Sequence, residues 1–221
     1  MKIIQMQSVF FYEQNNTLDF DGLSYFLRKK IKEITGFELH STSLLGVLPK
    51  DVPPEVPRLQ LNSEDNKLRV IGSLQRLDFF IERRDDQEEL EKERFFSIVD
   101  ANFEIHQQLA KNITRVGLIV VKTRDEDNPH EYVARTYLNS QNVRDIHELT
   151  ETNIAYNRQF ECDHLKFNCH TTHTSGYDYI RQKSIYIRQI DVSSLPDKIF
   201  YLTYNKNAIV KAFNEKLNER E

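Results

Sequence analysis

The stretch Val116-Gly117-Leu118-Ile119-Val120-Val121 carries no polar side chain and lies inside a β-prone segment running from Ile113 to Thr123. Side chains of a strand alternate between two faces, so a strand that does not alternate is expected to be shielded on both. This segment therefore predicts a central strand of a sheet, and its neighbours must be found elsewhere in the chain.

They are readable from pattern and punctuation. Lys2 to Tyr12 is rich in Ile, Val and Phe and predicts a strand. Leu23, Phe26, Leu27, Ile31 and Ile34 recur at helical spacing after Asp19 and Asp21, either of which can cap, and before Gly36, which can stop the helix; the spacing predicts a helix over 22–34. Ser41 to Pro57 holds four prolines and predicts an irregular segment. Leu59–Leu61, Lys67–Ser73 and Leu77–Ile81 predict a three-strand meander with a turn at Ser63-Glu64-Asp65-Asn66. A long helix is predicted over 86–111, with Phe95, Ile98, Val99, Asn102, Ile105 and Leu109 on one face and His106 on its polar flank. The acidic run Asp85-Asp86-Gln87-Glu88-Glu89 suits the positive start of that helix as a solvated face.

Beyond the central strand, Asp125-Glu126-Asp127-Asn128-Pro129 predicts a charged turn, and Pro129 opens a short helix reaching Leu138. Asn153–Thr174 and Tyr177–Val192 predict one long hairpin with Ser175-Gly176 at its tip. A change of apolar parity predicts a bulge near Arg181–Ser184. Ile209, Val210, Phe213 and Leu217 mark a last helix over 206–218.

The resulting fold class is α+β, an antiparallel sheet with helices packed on one face. The order of elements predicts a single domain over 1–221 whose halves, 1–111 and 113–220, repeat a β-α-β-β-β-α plan about a pseudo-twofold axis. A net charge of −4 with Lys and Arg nearly matching Asp and Glu argues against general binding to a phosphate backbone. No apolar run is long enough for a signal peptide or a membrane span, so a cytoplasmic location is expected.

Cys162, His164, Cys169, His170 and His173 are the residue types that hold zinc. On one unbroken strand, however, Cys162 and His170 would stand about 26 Å apart, so no single tetrahedral site can use both. The same rise forbids a local Cys162–Cys169 disulfide. The expectation is therefore no metal site, no cofactor and reduced thiols. Neither His106 nor His147 has a nucleophile pattern beside it, no phosphate-binding Gly-rich loop is present, and no catalytic residue is assigned.

Tyr177, Tyr179, Arg181, Lys183 and Arg188 interleave aromatic and cationic groups along one arm and are the candidate binding residues. Tyr and Arg anchor protein interfaces. Stacking rings beside cations also suit single-stranded nucleic acid.

Ile113-Thr114-Arg115-Val116-Gly117-Leu118, placed directly after a long amphipathic helix, together with Arg58-Leu59-Gln60-Leu61 and Leu77-Asp78-Phe79-Phe80, resembles a sporadically distributed family of uncharacterised bacterial proteins over residues 55–125. The resemblance implies no activity. The patchy occurrence of that family implies an accessory component of a defence or toxin–antitoxin-like system. The overall plan is similar to the layout of the TATA-binding-protein fold, a likeness of topology that does not fix function. The functional expectation is a non-enzymatic protein-interaction module, with homo-oligomerisation open to it through sheet edges. The alternatives are a nucleic-acid-binding protein using the sheet face and the Tyr177–Arg188 arm, and a metal-dependent enzyme using the His/Cys strand.

Overall fold

A computed structural model describes residues 1–13, 19–44, 52–85, 90–109, 113–138, 145–179, 181–195 and 206–219. Strand β1 (Lys2–Tyr12) leads to helix α1 (Phe20–Thr35). Asp19 caps this helix, its carboxylate accepting the N–H groups of Asp21 and Gly22 at 3.1 Å each. These are donors that no helical carbonyl reaches. Gly36 ends the helix at a φ of 75°, and its N–H returns to Lys32 O at 2.9 Å. That left-handed turn is the conformation glycine permits at least cost.

Strand β2 (Leu39–Leu44) comes next, so Ser41–Leu44, expected to be irregular, is a strand; residues 45–51 of that segment lie outside the described residues. All four prolines of that segment lie beyond Leu44 and do not forbid the strand. The meander is β3 (Leu59–Ser63), β4 (Leu68–Gly72) and β5 (Arg76–Glu82), followed by α2 (Lys92–Gln108). Residues 86–89, most of the acidic run, and residues 110–112 at the predicted end of this helix lie outside the described residues. Strand β6 (Ile113–Asp125) precedes α3 (Pro129–Tyr137) and a single 3-10 turn at Ile146–Glu148. Strands β7 (Asn153–Cys162), β8 (Leu165–Asp178) and β9 (Lys183–Ser194) follow, and α4 (Lys206–Asn218) closes the described chain.

The nine strands form one antiparallel sheet in the order β2-β3-β4-β5-β1-β6-β9-β8-β7. Strands β1 and β6 pair at its centre. Each is flanked on its other side by the last strand of the meander that follows it, β5 beside β1 and β9 beside β6.

Register sorts the side chains onto two faces. Met6, Phe10, Phe79, Val116, Leu118, Val120, Phe167, Ile190 and Val192 point to one face and are buried in a core with Leu23, Leu27 and Ile31 of α1, Phe95, Ile98, Val99 and Phe103 of α2, and Ile209, Phe213 and Leu217 of α4. Helix α3 lies on the same face, with Tyr132 edge-on to Tyr186 at 5.0 Å and Tyr137 stacked on His173 at 4.0 Å. All four helices thus cover one side. The apolar run in β6 is central in the sheet as expected, but only Val116, Leu118 and Val120 meet helices; Ile119 and Val121 are half-buried on the opposite face.

The predicted long hairpin is corrected by the ladders. Residues 153–174 do not form one strand. The chain reverses at Asp163-His164, both with positive φ (50° and 67°), so that Cys162 pairs with Leu165. Two positive φ values in sequence are the geometry of the tightest hairpin turn. Ser175-Gly176 is not a tip but lies within β8. The β8–β9 ladder runs from Phe167↔Ser194 to Asp178↔Lys183 without a register shift, so the parity change near Arg181 is the turn between these strands and not a bulge.

Candidate functional site

Among the described residues, no helix packs on the second face of the sheet. Across its centre the registers set out rows of neighbours. One row runs Asn62, Arg69, Phe80, Gln7, Ile119, Asp191, His170, Asn157. The next runs Gln60, Ile71, Asp78, Val9, Gly117, Ser193, Asn168, Gln159. Ile71, Phe80, Phe11, Ile119, Val121 and Ile187 are half-buried, so apolar surface is interleaved with amides and charges.

These charges answer one another. Arg69 lies over the Phe80 ring at 4.5 Å and pairs with Glu82 at 3.0 Å. Arg76 Nε meets Asp78 Oδ2 at 2.8 Å, and Gln7 Nε2 donates to Asp78 Oδ1 at 2.8 Å. Asp78 is only 2% exposed. Burial pushes its carboxyl above the ordinary value, against the pull of Arg76. Arg115 lies over the Phe11 ring at 4.8 Å and donates from Nη2 to Ser193 Oγ at 3.1 Å. Burial likewise raises the Asp191 carboxyl, while Arg115 and His170 pull it down.

At one end of this face the five candidate binding residues separate into three settings. Tyr177 and Tyr179 are exposed, their rings edge to face at 5.2 Å. Arg181 and Lys183 converge on Asp125: Arg181 Nη1 donates to Oδ1 at 2.8 Å and Lys183 Nζ to Oδ2 at 2.9 Å. Asp178 fixes the arginine from behind, accepting its backbone N–H at 3.1 Å and its Nε–H at 2.8 Å. The two cations hold the Asp125 carboxyl below the usual carboxylate range, Lys183 first. Arg188 does not join them. It is 7% exposed on the helix-covered face, opposite Lys122 on β6 and His173 on β8, and its Nε has no hydrogen-bond partner among the described residues.

Lys2, Arg83, Thr123, Arg124, Asp125, Arg181 and Lys183 line a cleft of about 320 Å³ at this end. Its shape follows from local backbone. The β1–β6 ladder slips at Ile4, between the pairs Ile3↔Lys122 and Gln5↔Val121, and the Arg83 N–H crosses to Ile4 O at 2.9 Å. The start of β1 and the end of β5 are thereby drawn beside the end of β6. Lys2, Arg83 and Arg124 carry no sequence signal that marks them, since their approach depends on the order of strands.

The Cys/His group is scattered by the Asp163-His164 turn. Cys162 and Cys169 are free and buried on the helix side, His164 and His170 are exposed, and His173 is buried among tyrosines. His173 Nδ1 lies 2.6 Å from Tyr186 OH and its Nε2 3.3 Å from Tyr156 OH. No set of three metal-ligating side chains comes together among the described residues. Burial pushes both thiols up, which keeps them protonated and unreactive.

His106 is also placed differently from the expectation of a polar flank. It is 1% exposed, stacked on Phe10 with centroids 5.0 Å apart. Its Nδ1 lies 2.5 Å from Asn102 O, a pure acceptor, so Nδ1 carries the proton; Nε2 then accepts from Tyr12 O–H, also at 2.5 Å. Desolvation lowers its pKa to about 4.

No known protein-family model matches this chain, and no curated protein matches its sequence.

Proposed function

We propose that the chain is a non-enzymatic binding module that seats a protein partner on the helix-free face of its sheet. The observation supporting this reading is the pairing of charge within that face. Arg69 with Glu82 and Arg76 with Asp78 leave it mixed and close to neutral, between half-buried Phe80, Ile119, Val121 and Ile71. A polyanion needs a surplus of positive charge. A protein interface takes an apolar centre with interleaved polar groups. Six strands at about 4.8 Å and four rows at about 6.8 Å give an area of roughly 780 Å², close to the roughly 800 Å² per partner of a standard interface.

The test is co-purification of tagged chain from its native host, run in parallel with Ile119→Asp and Phe80→Asp. Both side chains are half-buried on the open face and absent from the helix-side core, so far-UV circular dichroism should be retained. The expected result is one protein recovered in a fixed ratio with the parent and with Lys183→Gln, and lost with both face variants. Equal recovery with Ile119→Asp and Phe80→Asp, or recovery of nothing with the parent, overturns the reading.

A further inference from the structure

The two edges of the sheet are built differently, and from the difference we infer that two copies of this chain join through strand β7, edge to edge about a twofold axis. The inference goes beyond the docking of a protein on the open face and does not depend on it. A sheet edge presents backbone donors and acceptors in a row, and proteins blunt it with bulges, short strands, Pro or Lys. Strand β2 follows that rule: it has six residues, and its ladder with β3 slips between Ser41 and Ser43. Strand β7 does not. It runs ten residues without Pro, Gly or Lys, and its ladder with β8 holds one register from Asn153↔Thr174 to Cys162↔Leu165. Among the described residues no strand lies on its other side.

The backbone groups of β7 have a fixed direction. Thr152 O accepts the Ser175 N–H at 3.2 Å, so even-numbered positions along this stretch turn their N–H and C=O to β8. In an antiparallel ladder the alternate positions turn theirs away. Asn153, Ala155, Asn157, Gln159 and Glu161 therefore direct theirs to the outer edge, and all five residues are exposed.

The side chains select the occupant. A strand that pairs antiparallel with its own copy about a twofold axis sets one residue opposite itself. With Asn157 in that place, Ala155 faces Gln159 of the second copy, Asn153 faces Glu161, Tyr156 faces Arg158 and Ile154 faces Phe160. Every outward N–H and C=O of the five residues then meets its complement. On the helix side a cation meets a ring, the contact that Arg158 already makes with Tyr156 of its own strand at 4.9 Å, and half-buried Ile154 covers half-buried Phe160. Centring the pair on Arg158 instead sets that cation opposite itself, and centring it on Tyr156 sets Glu161 opposite Glu151. Like charges directly opposite destabilise a ladder. The strand is thus complementary to itself in one register, which is the property a second copy needs.

The test is sedimentation velocity of the purified full chain at about 1–100 μM, the range suited to an interface at the small end of the scale. The parent should form a dimer. Asn157→Lys and Asn157→Asp, both at an exposed side chain, should each weaken it about tenfold by setting like charges face to face, and an equimolar mixture of the two should restore it. Under a mild oxidant Asn157→Cys should cross-link two copies, because hydrogen-bonded opposite residues stand about 5.5 Å apart at Cα, within disulfide reach. Gln159→Cys, whose opposite residue is Ala155, should not. Ile119→Asp should leave the dimer intact, which separates failure here from failure of face docking. A parent that stays monomeric, whatever other protein its edge takes up, overturns the inference, and so does an assembly larger than a dimer. A dimer indifferent to both charged variants, no recovery on mixing them, loss of the dimer with Ile119→Asp, or cross-linking of Gln159→Cys as fast as Asn157→Cys overturns it equally.

Discussion

His106 offers the sharpest check on the packing of α2 against β1. Its folded pKa is about 4 and its ordinary value 6.5. Above about pH 7.5 the imidazole is neutral in both states and contributes nothing to pH dependence. As pH falls through 6.5 the unfolded chain takes up a proton that the folded chain refuses, so stability falls. The loss continues until the folded group also protonates near 4. A separation of about 2.5 units at about 1.36 kcal/mol per unit limits the loss to roughly 3.4 kcal/mol. At about pH 5, where the unfolded group is almost fully protonated and the folded group about a tenth so, the loss is roughly 2 kcal/mol.

The perturbation is His106→Gln, and the assay is urea unfolding followed by circular dichroism at about pH 7.5 and about pH 5. The variant loses part of its bond to Tyr12, which lowers stability equally at both values. What it should also lose is roughly 2 kcal/mol of the drop between them. The other histidines of the 7 in the chain titrate alike in both proteins and cancel in the difference. Tyr12→Phe keeps the buried imidazole and should keep most of the drop, which separates proton linkage from the lost hydrogen bond. An identical drop in parent and His106→Gln would refute a neutral, water-excluded imidazole behind Phe10.

Asn102 is fully buried, and neither side-chain atom of its amide has a partner among the described residues; Asn102→Leu should leave stability unchanged or raise it by about 1–2 kcal/mol, read as the urea midpoint. Asp19→Ala removes the N-cap of α1 and should cost about 1 kcal/mol in the same assay. Phe167→Ala empties a fully buried position beside Phe160 and should cost about 3–5 kcal/mol. Cys162 and Cys169 should react with a thiol reagent at about the rate of chain opening in the native protein and at once in denaturant, with no disulfide formed on purification.

Most elements were legible because their signals are local. The 3.6-residue spacing of Leu23, Leu27 and Ile31 marks α1, and Asp19 and Gly36 bound it through bonds that reach no farther than four residues. The hairpins were misread where local signals point the wrong way. Gly176 resembles a turn residue, yet its missing side chain makes room across the ladder: a Cβ there would lie 2.6 Å from Ile187 Cδ1. The true reversal uses Asp163-His164, a pair with no glycine to announce it. Helical spacing points Asn102 and Ile105 inward, and both are buried; His106 reads as polar in sequence because Tyr12 and Phe10, which enclose it, are more than ninety residues away.

The candidate site was legible only as a list of side-chain types, for a reason that strand geometry supplies. Tyr177, Tyr179, Arg181, Lys183 and Arg188 read as one cationic arm. Alternation sends Arg188 to the helix-covered face, while the turn leaves Arg181 and Lys183 at the sheet end. There each meets Asp125, which lies 56 and 58 residues earlier in sequence. What an arginine can bind depends on which carboxylate already answers it, and that is decided by strand order. The face beside β1 answers its cations within itself, Arg69 with Glu82 and Arg76 with Asp78. The cleft at the sheet end brings Lys2 from the start of β1 and Arg83 from just beyond β5 beside Asp125 at the end of β6, a grouping that no stretch of sequence displays.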